Sequence, residues 1–530
     1  MDELPSHSAL LALVGLFCLS AWFVARRRSS GQRLPLPPGP PRLPFIGNLM
    51  QLPRQGPWKT YKKWSDQYGP LISVQTFAVP TIVIGSWDLL KNHFERKNTI
   101  YSHRPSMPFF NRVTGGLNAS TMPYGPIWKA HRTLRAGVLK PSMTIKYRGI
   151  QDIETRQLLY ELISTNDFSS CFRRCIASVF LTLAYGERLE SETDEVQEVE
   201  EMNRQIAIAS ESSLSGMGNL AMIFPSLASW LPASWEGEAD ALHNKWRLIL
   251  EGRARAALNR EGWNWTKEFQ HNSGTQGCSV EELAHVVGSL YEASLAAFQV
   301  LRHIVLVAVL HPDSLSRVRQ EIDQVVGKDR LPQFEDIPQL PQTIAFMKET
   351  YRWRGLTPFG GPRAAFADDE CMGYHIPRGA TVLCNYWALN HDENIFPDSF
   401  AFKPERWLEN PQLPESAFGF GQRGCPGRHM GQDSVLIATS RLFWAYDIEL
   451  EKENGRVPID REKAMDAANG TTMASFVCDF KASFQPRSRH HQEIIEKQWM
   501  CAEKDAQTLL ANVNPTATTG DIGKNVPVCH

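Results

Sequence analysis

Apolar positions along this chain recur mostly at helical spacing, with only short stretches of strand-like alternation. Gly56 to Tyr68 has the spacing of an amphipathic helix. Leu71 to Gln75 and Thr81 to Gly85 alternate like short strands, and Ser86 stands where it would cap a helix running through Lys97. A long loop is expected over Tyr101 to Tyr124, followed by a helix that carries Trp128 to Arg132. An amphipathic stripe predicts helix from Asp152 to Arg204. A polar linker, Gln270 to Gly277, precedes a long apolar helix, Val280 to Leu310, which His311-Pro312 ends. Asp313 to Val326 and Leu340 to Arg354 read as further helices, and a last apolar helical run ends at Trp444. The pattern predicts a mainly α protein with small β-sheets and one large domain.

Both ends depart from this pattern. Ala9 to Ala25 is an uncharged, mostly apolar run of about 17 residues, preceded by Asp2 and Glu3 and followed by Arg26-Arg27-Arg28. The basic cluster follows the apolar run, which favours a membrane-spanning anchor over a cleaved signal peptide. The positive-inside rule then places the remainder in the cytoplasm. Leu34 to Pro41 is too rich in proline for a helix and predicts a stiff, extended connector. The expected division is an anchor over 1–28, a hinge over 29–47, a catalytic domain over 48–488 and a polar, partly disordered tail over 489–530. Met217 to Trp235 is apolar and tryptophan-rich, which suits either a membrane interface or a core-facing loop.

Composition narrows the class. The chain has 530 residues, 42% of them hydrophobic, enough for a large core. A net charge of -1 gives no footprint for nucleic acid. Ten cysteines are scattered without framework spacing, as expected for reduced thiols. Cys171 and Cys175, one helical turn apart, read as core thiols.

One cysteine differs. It lies in Phe418-Gly419-Phe420-Gly421-Gln422-Arg423-Gly424-Cys425-Pro426-Gly427-Arg428, a glycine-rich turn that leads into the last apolar helix. With Pro426 in the first helical turn, a Cys425 thiolate would face the positive end of that helix and free backbone N–H groups. Gly421 and Gly424 would supply positive φ in a sharp turn. The glycines also match a dinucleotide fingerprint, but the preceding Pro404 to Pro414 is irregular and holds no strand, so that match is set aside.

The spacing of Phe418, Gly421, Arg423, Cys425 and Gly427 resembles the cysteine-ligand signature of the cytochrome P-450 family of haem-thiolate monooxygenases. Glu349-Thr350-Tyr351-Arg352 followed by Pro404-Glu405-Arg406-Trp407 is similar to the family's Glu-Arg-Arg triad, and Trp128 with Arg132 to its propionate-binding helix. The resemblance spans about Leu34 to Ser488. It implies the cytochrome P-450 fold and haem b with Cys425 as the iron ligand. Trp128, Arg132, Arg363 and Arg423 become propionate partners, Phe418 a shield for the sulfur, and Gly427 room for the macrocycle. It also implies an NADPH-dependent reductase as partner, because the chain carries no flavin or nicotinamide motif, and a hydrophobic small-molecule substrate. The proline-rich segment resembles the hinge of microsomal members, which implies contact with membrane lipid and a single-pass location in the endoplasmic reticulum membrane. Pocket walls are expected at Met107 to Asn118, Tyr291 to Phe298, Leu356 to Gly360 and Thr471 to Ser475. The style resembles filamentous-fungal members that act in secondary metabolism.

The sequence departs from the family on the long helix. Where members carry an acid followed by threonine, Gly288 to Phe298 offers Leu295 and Ala296 in one register, or Ala296 and Ala297 in the other. General-acid delivery contributes typically ~10²–10⁴-fold where it operates. Three readings stay open. Glu292, Ser294 or a substrate hydroxyl substitutes for the missing pair; or the chemistry is a redox-neutral isomerisation or dehydration; or the chain binds haem without turnover.

Overall fold

The structure is a computed structural model, and it describes residues 34–53, 56–77, 79–214, 234–272, 279–451 and 479–513. The expected anchor over 1–28, residues 217–233 of the apolar connector, the wall at Thr471 to Ser475 and the chain after 513 lie outside the described residues.

The helices that shape the site are α1 (Pro57–Tyr68), α2 (Pro108–Val113), α3 (Pro126–Leu139), α4 (Arg148–Glu161), α5 (Phe168–Tyr185), α6 (Asp194–Leu214), α7 (Ser234–Asn259), α8 (Val280–Leu310), α9 (Pro312–Val325), α10 (Pro341–Trp353) and α11 (Arg428–Ala445). Two more, α12 (Arg489–Met500) and α13 (Ala506–Ala511), follow near the end. Strands β1 (Leu71–Thr76), β2 (Val79–Ile84), β3 (Arg363–Ala364) and β6 (Thr381–Cys384) make one sheet in the order β1-β2-β6-β3. β1 and β2 pair antiparallel, with Leu71 opposite Ile84, and β2 runs parallel to β6. Strands β4 (Asp369–Cys371) and β5 (Tyr374–Ile376) form a second sheet, β7 (Tyr446–Leu450) and β8 (Ala482–Pro486) a third.

The axis of the core is α8. Ser279 caps it by accepting from the Glu282 N–H at 3.0 Å, and Pro312 opens the next helix. Among the described residues it alone is long and apolar enough to cross a membrane, yet most of it is buried against α5, α7 and α11. Burial on nearly every side explains its apolar composition. The proline-rich segment lies along β1: the Ser73 N–H donates to the Pro38 carbonyl at 2.8 Å.

Several elements differ from their sequence reading. The helix expected over Asp152 to Arg204 is three helices, α4, α5 and the start of α6. Asp167 caps α5 by accepting from the Ser170 N–H, and Gly186, at φ 74°, ends it. Ser86 makes no side-chain cap, and its short helix passes directly into a π-helical turn over Leu90–Glu95. The loop from Tyr101 to Tyr124 contains α2.

The segment expected to begin a polar tail folds onto the core as far as residue 513. α12 lies against α4, Trp499 stacks on Tyr160, and Ile495, Leu510 and Val513 are buried. Its few apolar residues are spaced to cover an otherwise open surface, and low average hydropathy conceals that. Leu510 is fully buried against α5. Leu510→Ala is therefore expected to lower the unfolding free energy by about 2–5 kcal/mol, read as a shift in the denaturant midpoint. An unchanged midpoint would make the segment an ornament.

Candidate functional site

The Cys425 turn is built by backbone geometry. Gly419 and Gly421 adopt φ of 67° and 59°, which side-chain-bearing residues resist. Gly424, read from sequence together with Gly421 as such a glycine, has φ -56°, while Gly419 takes that place. Space explains Gly424 instead, because a Cβ there would lie 3.1 Å from the Gly421 carbonyl oxygen. The Cys425 N–H donates to the Phe418 carbonyl at 2.8 Å. Pro426 sits just before Gly427, the N-cap of α11, and so outside the first helical turn. Burial pushes the Cys425 thiol up, while the Gly427 N–H, Arg132 and Arg428 pull toward thiolate. Cys171, Cys175, Cys371 and Cys384 are buried thiols raised by desolvation. Cys425 instead is exposed to a cavity that it helps to line.

Glu349 of α10 anchors the chain leading to this turn. Its fully buried carboxylate accepts two bonds from Arg352, both at 2.8 Å. Three more come from Arg406 Nε at 3.1 Å, Trp407 Nε1 at 2.9 Å and the Lys403 N–H at 2.9 Å. Arg352 also donates to the carbonyls of Asn390 and Ser399, at 2.7 and 2.8 Å. The Ser416 hydroxyl donates to Asn390 Oδ1 at 2.9 Å, which carries the lock on toward Phe418, whose ring packs edge-on against Tyr351.

A cavity of about 340 Å³ lies over Cys425. Ala293, Ser294, Ala296 and Ala297 of α8 form one wall, and Leu356, Thr357 and Phe418 contribute others. Arg104, Arg352, Arg363 and Arg423 line it, and among the described residues no carboxylate does. Arg423 donates to the carbonyls of Ser102, Ala119 and Met122 at 2.8, 2.9 and 2.7 Å, and its guanidinium lies 4.2 Å from the Trp128 ring centre. Trp128 Nε1 donates to the Ala119 carbonyl at 3.2 Å. Arg132 donates to the Gly424 carbonyl and Arg363 to the Phe420 carbonyl, at 2.8 and 2.7 Å. Burial and mutual repulsion push Arg104 and Arg423 down to about 9.

Arg104 has no counterpart in the sequence reading. Its guanidinium donates to the Pro362 carbonyl, and its buried Nε has no partner among the described residues. Gly361 leaves room for it, since a Cβ there would lie 2.8 Å from Nη1. Nothing in the spacing of His103-Arg104-Pro105 announces a contact with a segment so distant along the chain.

The two candidate catalytic residues of α8 diverge. Ser294 lines the cavity, with its hydroxyl donating to the Tyr291 carbonyl at 2.6 Å. Glu292 is not among the residues that line the cavity, and its carboxylate accepts from Asn118 Nδ2 at 2.8 Å. Burial pushes Glu292 up to about 7, against the pull of Arg135.

A model of the cytochrome P-450 family matches residues 37–474. The chain belongs to the cytochrome P-450 family. It is 55% identical to fumitremorgin C synthase of Neosartorya fischeri, over 94% of this chain and 97% of that protein. It is 43% identical to cytochrome P-450 monooxygenase criE of Aspergillus cristatus (97% and 96% covered) and 42% to cytochrome P-450 monooxygenase okaD of Penicillium ochrochloron (97% of each). The family and these relatives make it an oxygen-incorporating oxidoreductase, and the family implies a haem-thiolate cofactor.

The residues present fit that cofactor. A soft sulfur donor faces an apolar space, and cations without a lining counter-charge await carboxylates. Gly427 completes the cradle, because a Cβ added there meets no protein atom within 4 Å and would project into open space beside the cysteine. If Arg104 holds a propionate, Arg104→Ala loses a charge-assisted bond of about 1.5–3 kcal/mol. Haem retained per protein chain, measured by pyridine haemochrome after dilution, should then fall roughly tenfold in equilibrium terms, with partial recovery in Arg104→Lys. Retention equal to wild type would exclude that role.

Proposed function

We propose that this chain is a membrane-anchored haem b monooxygenase that oxidises a hydrophobic small molecule of fungal secondary metabolism, with Cys425 as the residue whose sulfur would hold the iron. The observation that carries the reading is the Cys425 thiol opening into a largely apolar cavity ringed by Arg104, Arg363 and Arg423. The bound haem supplies dioxygen activation, with the thiolate favouring O–O cleavage. Everything else is work for the side chains. Trp128, Arg132, Arg363 and Arg423, with Arg104, hold the propionates. Phe418 keeps water from the sulfur, and Gly427 leaves space for the ring. The apolar walls orient the substrate and exclude water. Ser294 is the hydroxyl on the cavity face of α8, and Glu292 is the acid that stores a proton behind it.

Electrons come from NADPH through a separate reductase, which the lack of a flavin or nicotinamide motif in the chain supports. The apolar run and Arg26-Arg27-Arg28 support an anchor over 1–28, followed by a hinge over 29–47 and a cytoplasmic catalytic domain at the endoplasmic reticulum membrane. The relatives named for fumitremorgin C and for monooxygenases support a fungal secondary-metabolite substrate.

The alanine face of α8 favours one rival, a redox-neutral rearrangement that needs no controlled protonation. The membrane-bound protein, reconstituted with a P-450 reductase and given the immediate precursor of fumitremorgin C, decides between them. Turnover should require both NADPH and dioxygen, and hydroxylated product should carry oxygen from labelled dioxygen. Product formed equally without either reagent would overturn the oxygenase reading in favour of the rearrangement.

A further inference from the structure

The most apolar of the described helices carries one polar stripe. Glu282, His285, Ser289 and Glu292 recur along α8 at spacings of three and four, which sets them on one face. That face meets α3, which presents His131 and Arg135 one turn apart, and Asn118 from the preceding loop. The contacts run in sequence along the seam. Glu282 Oε1 lies 2.8 Å from His131 Nε2, Arg135 donates to Ser289 Oγ at 2.5 Å, and Asn118 donates to Glu292 at 2.8 Å. The seam is open to solvent at one end, where the Glu282 side chain is 28% exposed, and closed at the other, where Glu292 stands next to Ala293 of the cavity wall.

Its middle is under-satisfied. His131 Nδ1, His285 Nε2 and Arg135 Nε are buried and have no partner among the described residues. Orphan polar atoms of this kind cost free energy unless bound water meets them, and a buried water typically joins about three such groups. Three such atoms in one seam are the polar partners that bound water would need there. Both imidazoles favour the neutral form. His285 is pushed down to about 4 by burial and by His243 and His131, with Glu251 opposing. Burial also lowers His131, against the pull of Glu282. Neutral imidazole accepts a proton on one ring nitrogen and releases one from the other.

We propose that this seam, from Glu282 through His131, His285 and Ser289 to Glu292, carries protons from solvent to the α8 side of the cavity. It takes the place of the adjacent acid and threonine, where α8 carries Leu295, Ala296 and Ala297. The inference rests on Glu292 as proton donor, from the proposed function, and adds the route that refills it. The balance is simple. Placing one atom of dioxygen in a substrate and the other in water consumes two electrons, which the reductase delivers from NADPH, and two protons, which the seam delivers. Each proton leaves solvent at the Glu282 carboxylate, crosses the imidazoles and bound water, and protonates Glu292. The Glu292 carboxyl then passes it to water on the cavity side of Ala293 and returns to carboxylate. Arg135 and Asn118 are the charged and polar groups that face Glu292, and both hold that carboxylate in place between transfers.

The test uses the full-length holoenzyme with reductase and NADPH, and dioxygen alone as oxidant. Reduction of dioxygen then ends as hydrogen peroxide, with two electrons and two protons, or as water, with four of each. Slower proton delivery shifts the outcome toward peroxide. Glu292→Gln should lower the water-forming flux by roughly a hundredfold, within the usual range of proton-delivery effects, and should remove the pH-dependent carboxyl band of Glu292 from the infrared difference spectrum. If that variant behaves as wild type, both the donor and the seam fall. His285→Gln and Ser289→Ala, compared at equal haem content, should lower the same flux by roughly tenfold and enlarge its solvent deuterium isotope effect. Wild-type flux and isotope effect in both of these, alongside an impaired Glu292→Gln, would overturn the seam and leave the donor standing. A purely structural staple between α3 and α8 would lower thermal stability in these variants without moving the isotope effect.

Discussion

A single carboxylate with no access to water, that of Glu349, organises the half of the molecule beneath the cavity. It accepts from Arg352, Arg406, Trp407 and the backbone of Lys403, groups that come from α10 and from the chain that leads to the cysteine turn. Burying an ion is costly, and replacing such networks with apolar residues can leave stability unchanged. The network is better understood as a device for position. It admits one arrangement of five donors, and that arrangement fixes where residues 390–416 run. The cysteine turn then starts from a defined place, which the tight glycines and the Cys425 to Phe418 hydrogen bond complete.

From that fixed turn, the character of the cavity follows by subtraction. Among the described residues, its walls are mainly apolar, its one thiol is that of Cys425, and its formal charges are arginines. Each guanidinium donates to at least one backbone carbonyl, which leaves its positive charge in place. A flat apolar group bearing carboxylates and a thiophilic metal is complementary to all of these features together. Family membership and chemistry therefore converge on haem, reached through different residues.

What the sequence disclosed and what it concealed divide along one line. Cys425 and its glycines, and the order Glu349, Arg352, Arg406, are legible because residue identity and short spacing define them. The apolar periodicity of α8 is likewise local. Arg104 was hidden, since its role comes from meeting Pro362 and Gly361 across the fold. Asp152 to Arg204 read as one helix because the stripe continues through the breaks, while the breaks rest on one cap and one left-handed glycine. Gly424 was assigned the wrong reason, since a sequence cannot separate a glycine needed for φ from one needed for space. The stretch from Arg489 to Val513 read as tail because its polar majority masks the few side chains that dock. Glu292 is legible as an acid, but its partners, Arg135 on α3 and Asn118 in the loop before it, lie more than a hundred and fifty residues away, and no periodicity links segments that meet only in space.

The account stands on sulfur ligation by one residue. The carbon monoxide difference spectrum of the reduced, haem-loaded protein reads that bond directly. The account predicts the long-wavelength Soret band of a thiolate-ligated haem in the wild-type protein and its loss in Cys425→Ala. A band characteristic of nitrogen ligation in the intact wild-type protein, or a thiolate band that survives the substitution, would contradict it.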